Sequence, residues 1–179
     1  MLPNNCHDIN GRKLVYWRPS IFFPKHMPYE LLILQFIYYA ELIANDIFSQ
    51  YYGFTLVMDL RDFQSSNFSF EFVEKFFYTI ENVIPVRLSD IVCIGPFPES
   101  WDNAWRFVFG VISGITKKKF KTTTLETIDS IIVKENLLTF LGGTLVFFNL
   151  TFFFLFLNFN NNFFFFFFQK GIRCERSHL

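Results

Sequence analysis

The stretch Ile84–Phe120 reads IPVRLSDIVCIGPFPESWDNAWRFVFGVISGITKKKF and contains a turn, a short strand, a break and a helix, in that order. The strand is predicted over Asp90–Ile94, and the Gly-Pro pair after it ends the extended segment. Apolar residues then recur at helical spacing and predict one wide apolar face, formed by Trp101, Ala104, Trp105, Val108 and Ile112.

Lysines crowd the far end of this segment. Lys117, Lys118, Lys119 and Lys121 follow the predicted helix closely. An apolar wall beside a basic rim suits an amphiphile that has an apolar body and an anionic head. A run of lysines taken alone is more often a solvated face, so the apolar helix is the stronger indication of a binding site.

The rest of the chain alternates strands and helices. Further strands are predicted over Lys13–Arg18, Phe54–Leu60 and Phe120–Thr123. Further helices are predicted over Tyr29–Phe48, Phe68–Val83 and Thr124–Ile132. Phe54–Leu60 is apolar almost throughout, which is typical of a strand buried on both faces. The predicted fold class is therefore α/β with a small, mostly parallel sheet.

Asp59 lies near the end of the buried strand Phe54–Leu60, and its carboxylate has two interpretations. Ligand sites gather at the carboxyl ends of strands in open α/β sheets. Asx side chains also order the loops that follow them by bonding to the backbone. We favour the second interpretation.

Composition limits the possible functions. The 179 residues are enough for one domain with a hydrophobic core, and the 16 basic and 16 acidic residues cancel. The sequence has no basic stripe interleaved with base-stacking aromatics, so a nucleic-acid partner is not expected. Cys6, Cys93 and Cys174 lie far apart without metal-site spacing, and the polar amino terminus has no secretory signal. Reduced thiols in a cytoplasmic protein are the prediction.

The sequence lacks the motifs of the common enzyme classes. It contains no GxSxG, GxxxxGK[ST], HExxH or GxGxxG. The three histidines, His7, His26 and His178, fall in predicted loops or in the tail. We therefore predict that the protein is not an enzyme and carries no cofactor and no metal.

The segment Phe147–Phe168 reads FFNLTFFFLFLNFNNNFFFFFF and differs from the rest of the chain. A membrane anchor needs about 20 apolar residues, so it would have to run through several asparagines. A helix is not expected, because Phe and Asn are poor helix formers. Translated non-coding sequence is the favoured interpretation. We therefore predict a domain over residues 1–146 and an irregular, disordered or misannotated tail over 147–179.

The ordered series of motifs in this chain is similar to the CRAL-TRIO lipid-binding domain. The matching positions are Pro85, Arg87, Leu88, Pro98, Trp101, Trp105, Thr116, Lys119 and Leu141–Thr144, with Asp8–Arg12 and Gly53–Leu60 upstream. The resemblance covers about residues 7–145. It implies a small sheet with helices that enclose an apolar lipid cavity, closed by a gate.

The resemblance also implies roles for particular residues. The cavity wall is assigned to Trp101, Trp105, Val108, Phe109, Ile112 and Phe120. The head group is assigned to Lys119, and the gate and its hinges to Pro98, Gly110 and Gly114. Phosphatidylinositol-binding members typically carry an acidic residue where this chain has Val86, a position that is small and apolar in carriers of retinoids or tocopherol. Both ligand classes stay open.

These residues together predict a lipid-binding domain, possible intermembrane transfer of its ligand, and transient contact with a membrane surface. Two alternatives stay open. One is an adaptor that keeps the fold and binds a protein partner. The other is a fragmentary gene product, since family members normally carry a small helical domain before the strand at Lys13 and this chain starts too late to include it.

Overall fold

A computed structural model describes residues 6–24, 26, 28–97 and 101–145, together with the backbone of 153–159 and 162–168. The chain forms two compact units. The larger unit is His7–Val133, and the smaller contains Cys6 and the residues from Lys134 onward.

The larger unit is built on a parallel sheet of four strands in the order β1-β2-β3-β4. The strands are β1 Lys13–Trp17, β2 Phe54–Asp59, β3 Leu88–Ile94 and β4 Phe120–Thr123. The helices are α1 Tyr29–Ala44, α2 Ile47–Tyr52, α3 Phe70–Asn82, α4 Asp102–Val111 and α5 Gly114–Lys117. The predicted α/β class with a small parallel sheet is confirmed.

The two central strands are buried on both faces. Every residue of β2 is buried, and in β3 only Ser89 is partly accessible. On one face, aromatic side chains of α1 and α3 pack against the sheet, with the ring of Phe36 6.3 Å from Phe54 and the ring of Phe76 4.9 Å from Trp17. The continuous apolar run that predicted a doubly covered strand is thus explained.

The predicted helix Tyr29–Phe48 is wrong in its extent, because two helices occupy this part of the chain. The first ends at Ala44, and Asp46 caps the second by accepting hydrogen bonds from the Ser49 backbone N (3.0 Å) and Oγ (2.8 Å). Gly53 ends α2 at a φ of 75°, where a Cβ would come within 2.2 Å of the Arg87 carbonyl oxygen.

Helix α3 begins as predicted, because the Oγ of Ser69 accepts a hydrogen bond from the Phe72 backbone N at 3.2 Å. The spacing of apolar residues in the sequence predicts an apolar face of Phe70, Val73, Phe76, Phe77 and Ile80, and the structure differs from it in the first turn. Phe72 is buried there, whereas Phe70 is exposed to solvent.

The predicted helix Thr124–Ile132 is wrong, since the chain forms only a single 3-10 turn over Ile128–Ser130. The hydroxyl of Thr127 accepts a hydrogen bond from the Thr124 backbone N at 3.2 Å and lies 2.9 Å from the hydroxyl of Thr123. Threonine hydroxyls that bond locally to the backbone compete with helix formation.

Polar side chains bind the strands together on the face opposite the packed aromatic rings. Asp8 accepts hydrogen bonds from the Thr55 hydroxyl at 2.8 Å and the Arg12 backbone N at 3.0 Å. Asp90 forms ion pairs with Arg12 and, at 2.8 Å, with Lys121. These bonds satisfy carboxylates that are otherwise costly to bury.

In the smaller unit, the backbone of the Leu-Gly-Gly-Thr segment at residues 141–144 requires its glycines. Gly142 has a φ of 88°, and a Cβ on Gly143 would lie 1.9 Å from the Leu137 carbonyl oxygen. Beyond it, β5 Phe153–Phe159 pairs in antiparallel fashion with β6 Asn162–Phe168. The domain boundary at 146 and the interpretations of the tail stay predictions. None of the described helices has the length and apolar composition needed to cross a lipid bilayer.

Asp59 orders the loop after β2, as favoured from the sequence. Its buried carboxylate accepts hydrogen bonds from Nε and Nη2 of Arg61 at 2.8 and 2.9 Å. Burial opposes ionisation of this carboxyl, but the hydrogen bonds from Arg61 and the charge of Arg18 outweigh burial and lower its pKa.

We predict that Asp59→Asn lowers the free energy of unfolding by about 2 kcal/mol at pH 7, because Arg61 loses a charged partner. A carboxyl whose pKa is lowered by folding stabilises the protein above its unfolded pKa of about 3.9 and loses that contribution as the pH falls through the folded value. The deficit of the variant should therefore shrink below about pH 4. Urea denaturation at several pH values measures it, and Asp62→Asn, an exposed neighbour that pairs with Arg18, is the control. An equal deficit at all pH values would contradict the ionic explanation.

Candidate functional site

An apolar cavity lies in the larger unit between the sheet and helices α3 and α4, and its volume is about 80 Å³. Its walls are side chains from β1, β2, α3, α4 and the loops between them. They include Trp17, Phe22, Met58, Phe63, Phe68, Phe72, Phe76, Phe77, Trp101, Ala104, Trp105, Val108 and Phe120. A ligand in this cavity would make dispersion contacts with apolar side chains and would be shielded from water.

Helix α4 closes one side of this cavity with the apolar stripe that the sequence predicted. Trp101, Trp105 and Val108 all line the cavity, and Trp101 precedes the first residue of the helix. The Trp101 ring meets Phe63 edge to face at 5.2 Å, and the Trp105 ring meets Phe120 edge to face at 6.2 Å. Such pairs add stability beyond their buried area.

Two of the residues assigned to the cavity wall lie elsewhere. Phe109 is 37% exposed and does not line the cavity, although its ring stacks on Trp105 at 5.8 Å and meets Phe120 at 5.3 Å. Ile112 is buried just after the end of α4 and also lies away from the cavity lining. Phe109 therefore supports the wall from behind through Trp105 and Phe120.

The sequence interpretation missed the wall contributed by the sheet and by α3. Trp17 points from β1 towards α3, where its ring lies 5.6 Å from Phe72. Phe22, from the loop after β1, packs on the same Phe72 ring at 5.0 Å. The available signal was the apolar stripe of α3, three of whose residues, Val73, Phe76 and Phe77, line the cavity.

The size of the cavity decides what it can hold in this conformation. Sites for drug-sized ligands usually enclose about 300–1,000 Å³, several times the volume found here. A lipid chain therefore fits only after wall residues move apart. Helix α4 is one of these wall elements, and the helical backbone is interrupted directly after it. The chain is extended at Ile112 and becomes helical again at Gly114, where α5 begins.

The predicted gate and hinge residues have different environments. Pro98 lies outside the described residues. Gly110 lies in α4 and Gly114 begins α5, and at both positions an added Cβ would have nothing within 4 Å. Close packing therefore does not explain glycine at either position, and a role in flexibility stays a prediction.

A second, polar pocket of about 250 Å³ lies at the amino ends of β3 and β4. It is lined by Ile80, Glu81, Ile84, Pro85, Val86, Arg87, Leu88, Thr116 and Lys119. The Nζ of Lys119 donates a hydrogen bond to the Leu88 carbonyl oxygen at 2.7 Å. Val86 is buried, and it occupies the position at which the resemblance places an acidic residue in phosphatidylinositol-binding members.

Opposite charges influence one another in this polar pocket. Partial burial and the nearby charge of Arg87 lower the pKa of Lys119, against the opposing charges of Glu81 and Asp90. Burial opposes ionisation of Glu81, but hydrogen bonds from Thr116 and Ser113 and the charge of Lys119 lower its pKa overall. The pocket is thus lined by one acidic side chain, Glu81, and two basic side chains, Arg87 and Lys119.

Catalytic and metal-binding groups do not converge in the part of the chain that the structure describes. No three side chains of His, Cys, Asp or Glu there come close enough to hold a metal ion. Burial raises the pKa of the Cys93 thiol to about 12, so this thiol is not a nucleophile at neutral pH. The hydroxyls of Ser49 and Thr55 donate hydrogen bonds to Asp46 and Asp8, where they cap α2 and connect the chain before β1 to β2.

Comparison with known proteins agrees with this architecture. The model of the CRAL/TRIO domain matches residues 4–143. Comparison with curated proteins gives no match. The crystal structure of Sfh5 is one of the similar solved structures, with 13% identity and a TM-score of 0.48 over 65% of this chain and 43% of that one. This chain therefore spans less than half of that protein.

The family assignment rests on the match over residues 4–143, which is most of the chain. A four-stranded parallel sheet with helices packed on one face and an apolar cavity beneath them agrees with it. The chain belongs to the CRAL/TRIO domain family, whose members bind lipid ligands.

Proposed function

We propose that this protein binds a hydrophobic lipid in the apolar cavity and releases it when α4 moves, without catalysing a reaction on it. The observation that supports the proposal is the cavity itself, because its wall is apolar and aromatic and α4 closes one side of it. Cytoplasmic localisation, transient contact with membranes and transfer of lipid between them are parts of the same proposal.

The energetics favour an opening that is coupled to lipid entry. Moving α4 outward removes Trp101, Trp105 and Val108 from their apolar neighbours, and this has a cost in free energy. An entering acyl chain covers the same surfaces again and gains about 0.8 kcal/mol for each methylene taken out of water. A chain of about 16 carbons therefore gains on the order of 10 kcal/mol, which exceeds the loss of a few side-chain contacts.

The ligand class depends on the polar pocket. Lys119 and Arg87 supply positive charge for a phosphate head group, as in a phospholipid or phosphoinositide. Val86 supplies no hydrogen bond there, and this favours a neutral retinoid-like or tocopherol-like lipid. The affinity for an anionic phospholipid should depend on the charge of Lys119 more strongly than the affinity for a neutral lipid.

One observation favours a second function. The cavity is only about 80 Å³, and aromatic rings occupy most of its walls. An adaptor that keeps the fold, has lost its lipid and binds a protein partner would have a small cavity of this kind. The experiments below distinguish a carrier from such an adaptor.

We predict that Trp105→Asp abolishes lipid loading, because an unpaired carboxylate in the cavity has a high desolvation cost. Native mass spectrometry of the full chain, with extraction of bound lipid, measures loading. Trp105→Phe is the matched control, which keeps the wall apolar and should retain lipid. Ala104→Phe is a second variant that fills the cavity without adding charge and should also block loading. A folded Trp105→Asp protein with normal lipid content would contradict the proposal, and an empty wild-type protein would favour the adaptor.

We predict that Lys119→Met weakens binding of an anionic phospholipid about tenfold or more, since a charged hydrogen bond contributes about 1.5–3 kcal/mol. Binding of a neutral tocopherol-like lipid should be unchanged. Competition with a fluorescent lipid measures both affinities, and Lys118→Met, which removes an exposed neighbouring charge, is the control. If the wild-type and Lys119→Met proteins bound the anionic lipid with equal affinity, Lys119 would not be part of the head-group site.

We predict that Gly110→Ala stabilises the protein by about 0.5–1 kcal/mol, because alanine is the better residue in an exposed helix interior. If Gly110 is a hinge of the gate, lipid exchange should also slow. Stopped-flow transfer of fluorescent lipid measures the rate. Asn103→Ala replaces the second residue of the same helix, at the end away from Gly110, and should leave the rate unchanged. A stabilised Gly110→Ala protein with an unchanged rate would exclude this residue as the hinge.

A further inference from the structure

Helix α2 carries its apolar side chains outward. Ile47, Phe48, Tyr51 and Tyr52 are exposed by 62%, 60%, 76% and 51%, whereas Ser49 is exposed by only 1%. This is the reverse of an ordinary surface helix, in which apolar residues face the core. We call these four residues the α2 face.

Polar bonds hold the inner side of α2 and fix this inverted orientation. The Ser49 hydroxyl donates a hydrogen bond to Asp46 at 2.8 Å, and Asp46 also pairs with Lys13 at 3.6 Å. On the outer side, Ser89 donates from its hydroxyl to the Tyr52 carbonyl oxygen at 2.6 Å, which ties the helix end to β3. The α2 face is therefore a fixed surface, and a contiguous exposed apolar surface marks an interaction site.

The parallel sheet places this surface beside positive charge. All four strands start at one edge, so α2 before β2, Arg87 before β3 and Lys117–Lys119 before β4 lie along that edge. The Nη2 of Arg87 donates a hydrogen bond to the Tyr51 carbonyl oxygen at 3.1 Å, so a cation lies against the backbone of α2. The acidic groups near this edge already have partners, since Asp46 pairs with Lys13 and Glu81 accepts a hydrogen bond from the Ser113 backbone N.

We propose that the α2 face docks on an anionic lipid surface, and this proposal rests on the lipid-carrier function proposed above. Tyrosine and phenylalanine suit the boundary between acyl chains and head groups, where a ring is buried and a hydroxyl stays hydrated. Arg87 and Lys117–Lys119 would contact the phosphate groups of the lipid head groups. Each basic residue near an anionic membrane surface adds to the free energy of binding. The sheet edge is then the side that the carrier turns towards a membrane.

The size of the α2 face favours a membrane over a second copy of the chain. Three exposed aromatic residues and one isoleucine offer on the order of 400 Å². A stable protein interface needs about 800 Å² on each partner. A lipid surface has no such threshold, because charge and apolar insertion add to the same binding.

The test compares a double tyrosine variant on the α2 face with a single exposed tyrosine variant on α3, both in the full chain. Vesicles of phosphatidylcholine alone and of phosphatidylcholine with about 30% phosphatidylserine, the source of the negative surface potential, are the probes. The double variant Tyr51→Ser/Tyr52→Ser should bind the anionic vesicles about tenfold more weakly in a flotation assay, because two aromatic side chains no longer become buried at the membrane surface. Tyr78→Ser, an equally exposed change on α3, should have no effect and controls for the Phe-rich tail.

Each outcome bears on one proposal. Wild-type binding that requires phosphatidylserine, falls with salt and is lost only in the α2 variant supports docking. Equal binding by wild type and α2 variant overturns it, as does a dimer in sedimentation velocity that the α2 variant disrupts. Lipid loading measured on the same proteins keeps the proposals apart, since the α2 variant should load normally and Trp105→Asp should dock normally.

Discussion

Burial of β2 and β3 on both faces is the constraint on which the larger unit depends. A strand with every residue inaccessible offers no side to water, so each face must be covered by other parts of the chain. One face is covered by aromatic side chains of α1 and α3. On the other face, the carboxylates of Asp8 and Asp90 are neutralised by hydrogen bonds and ion pairs with neighbouring strands and loops.

The cavity follows from the way aromatic rings pack on such a sheet. Rings around the cavity meet edge to face, as Trp101 does with Phe63 and Trp105 with Phe120. These contacts connect α4 and the residue before it to the loop after β2 and to β4. The rings that line the cavity leave about 80 Å³ between them.

Features set by local pattern were predictable from the sequence. The doubly buried strand from Phe54, the Ser69 cap and the stripe through Trp101, Trp105 and Val108 all depend on spacing along one element. The break after Ala44 was missed because the apolar periodicity continues while the Asp46 carboxylate starts a new helix.

Features that depend on distant contacts were not predictable. Trp17 reaches the cavity wall only because β1 lies beside β2, and Phe109 leaves it because α4 presents a narrower face than the apolar pattern suggests. The helix predicted after Thr124 failed where threonine hydroxyls compete with the backbone. The polar pocket is assembled from α3, the turn before β3 and the segment before β4, so no local motif marks it.

The small volume of the resting cavity has a kinetic consequence. If only a minor open population admits ligand, the apparent dissociation constant rises in proportion to the rarity of that population. When donor lipid is abundant, the rate of uptake then approaches the rate at which α4 opens and no longer depends on how much lipid is present. Different lipids would then share the same maximum rate of uptake, and the protein would discriminate between them by their rates of dissociation.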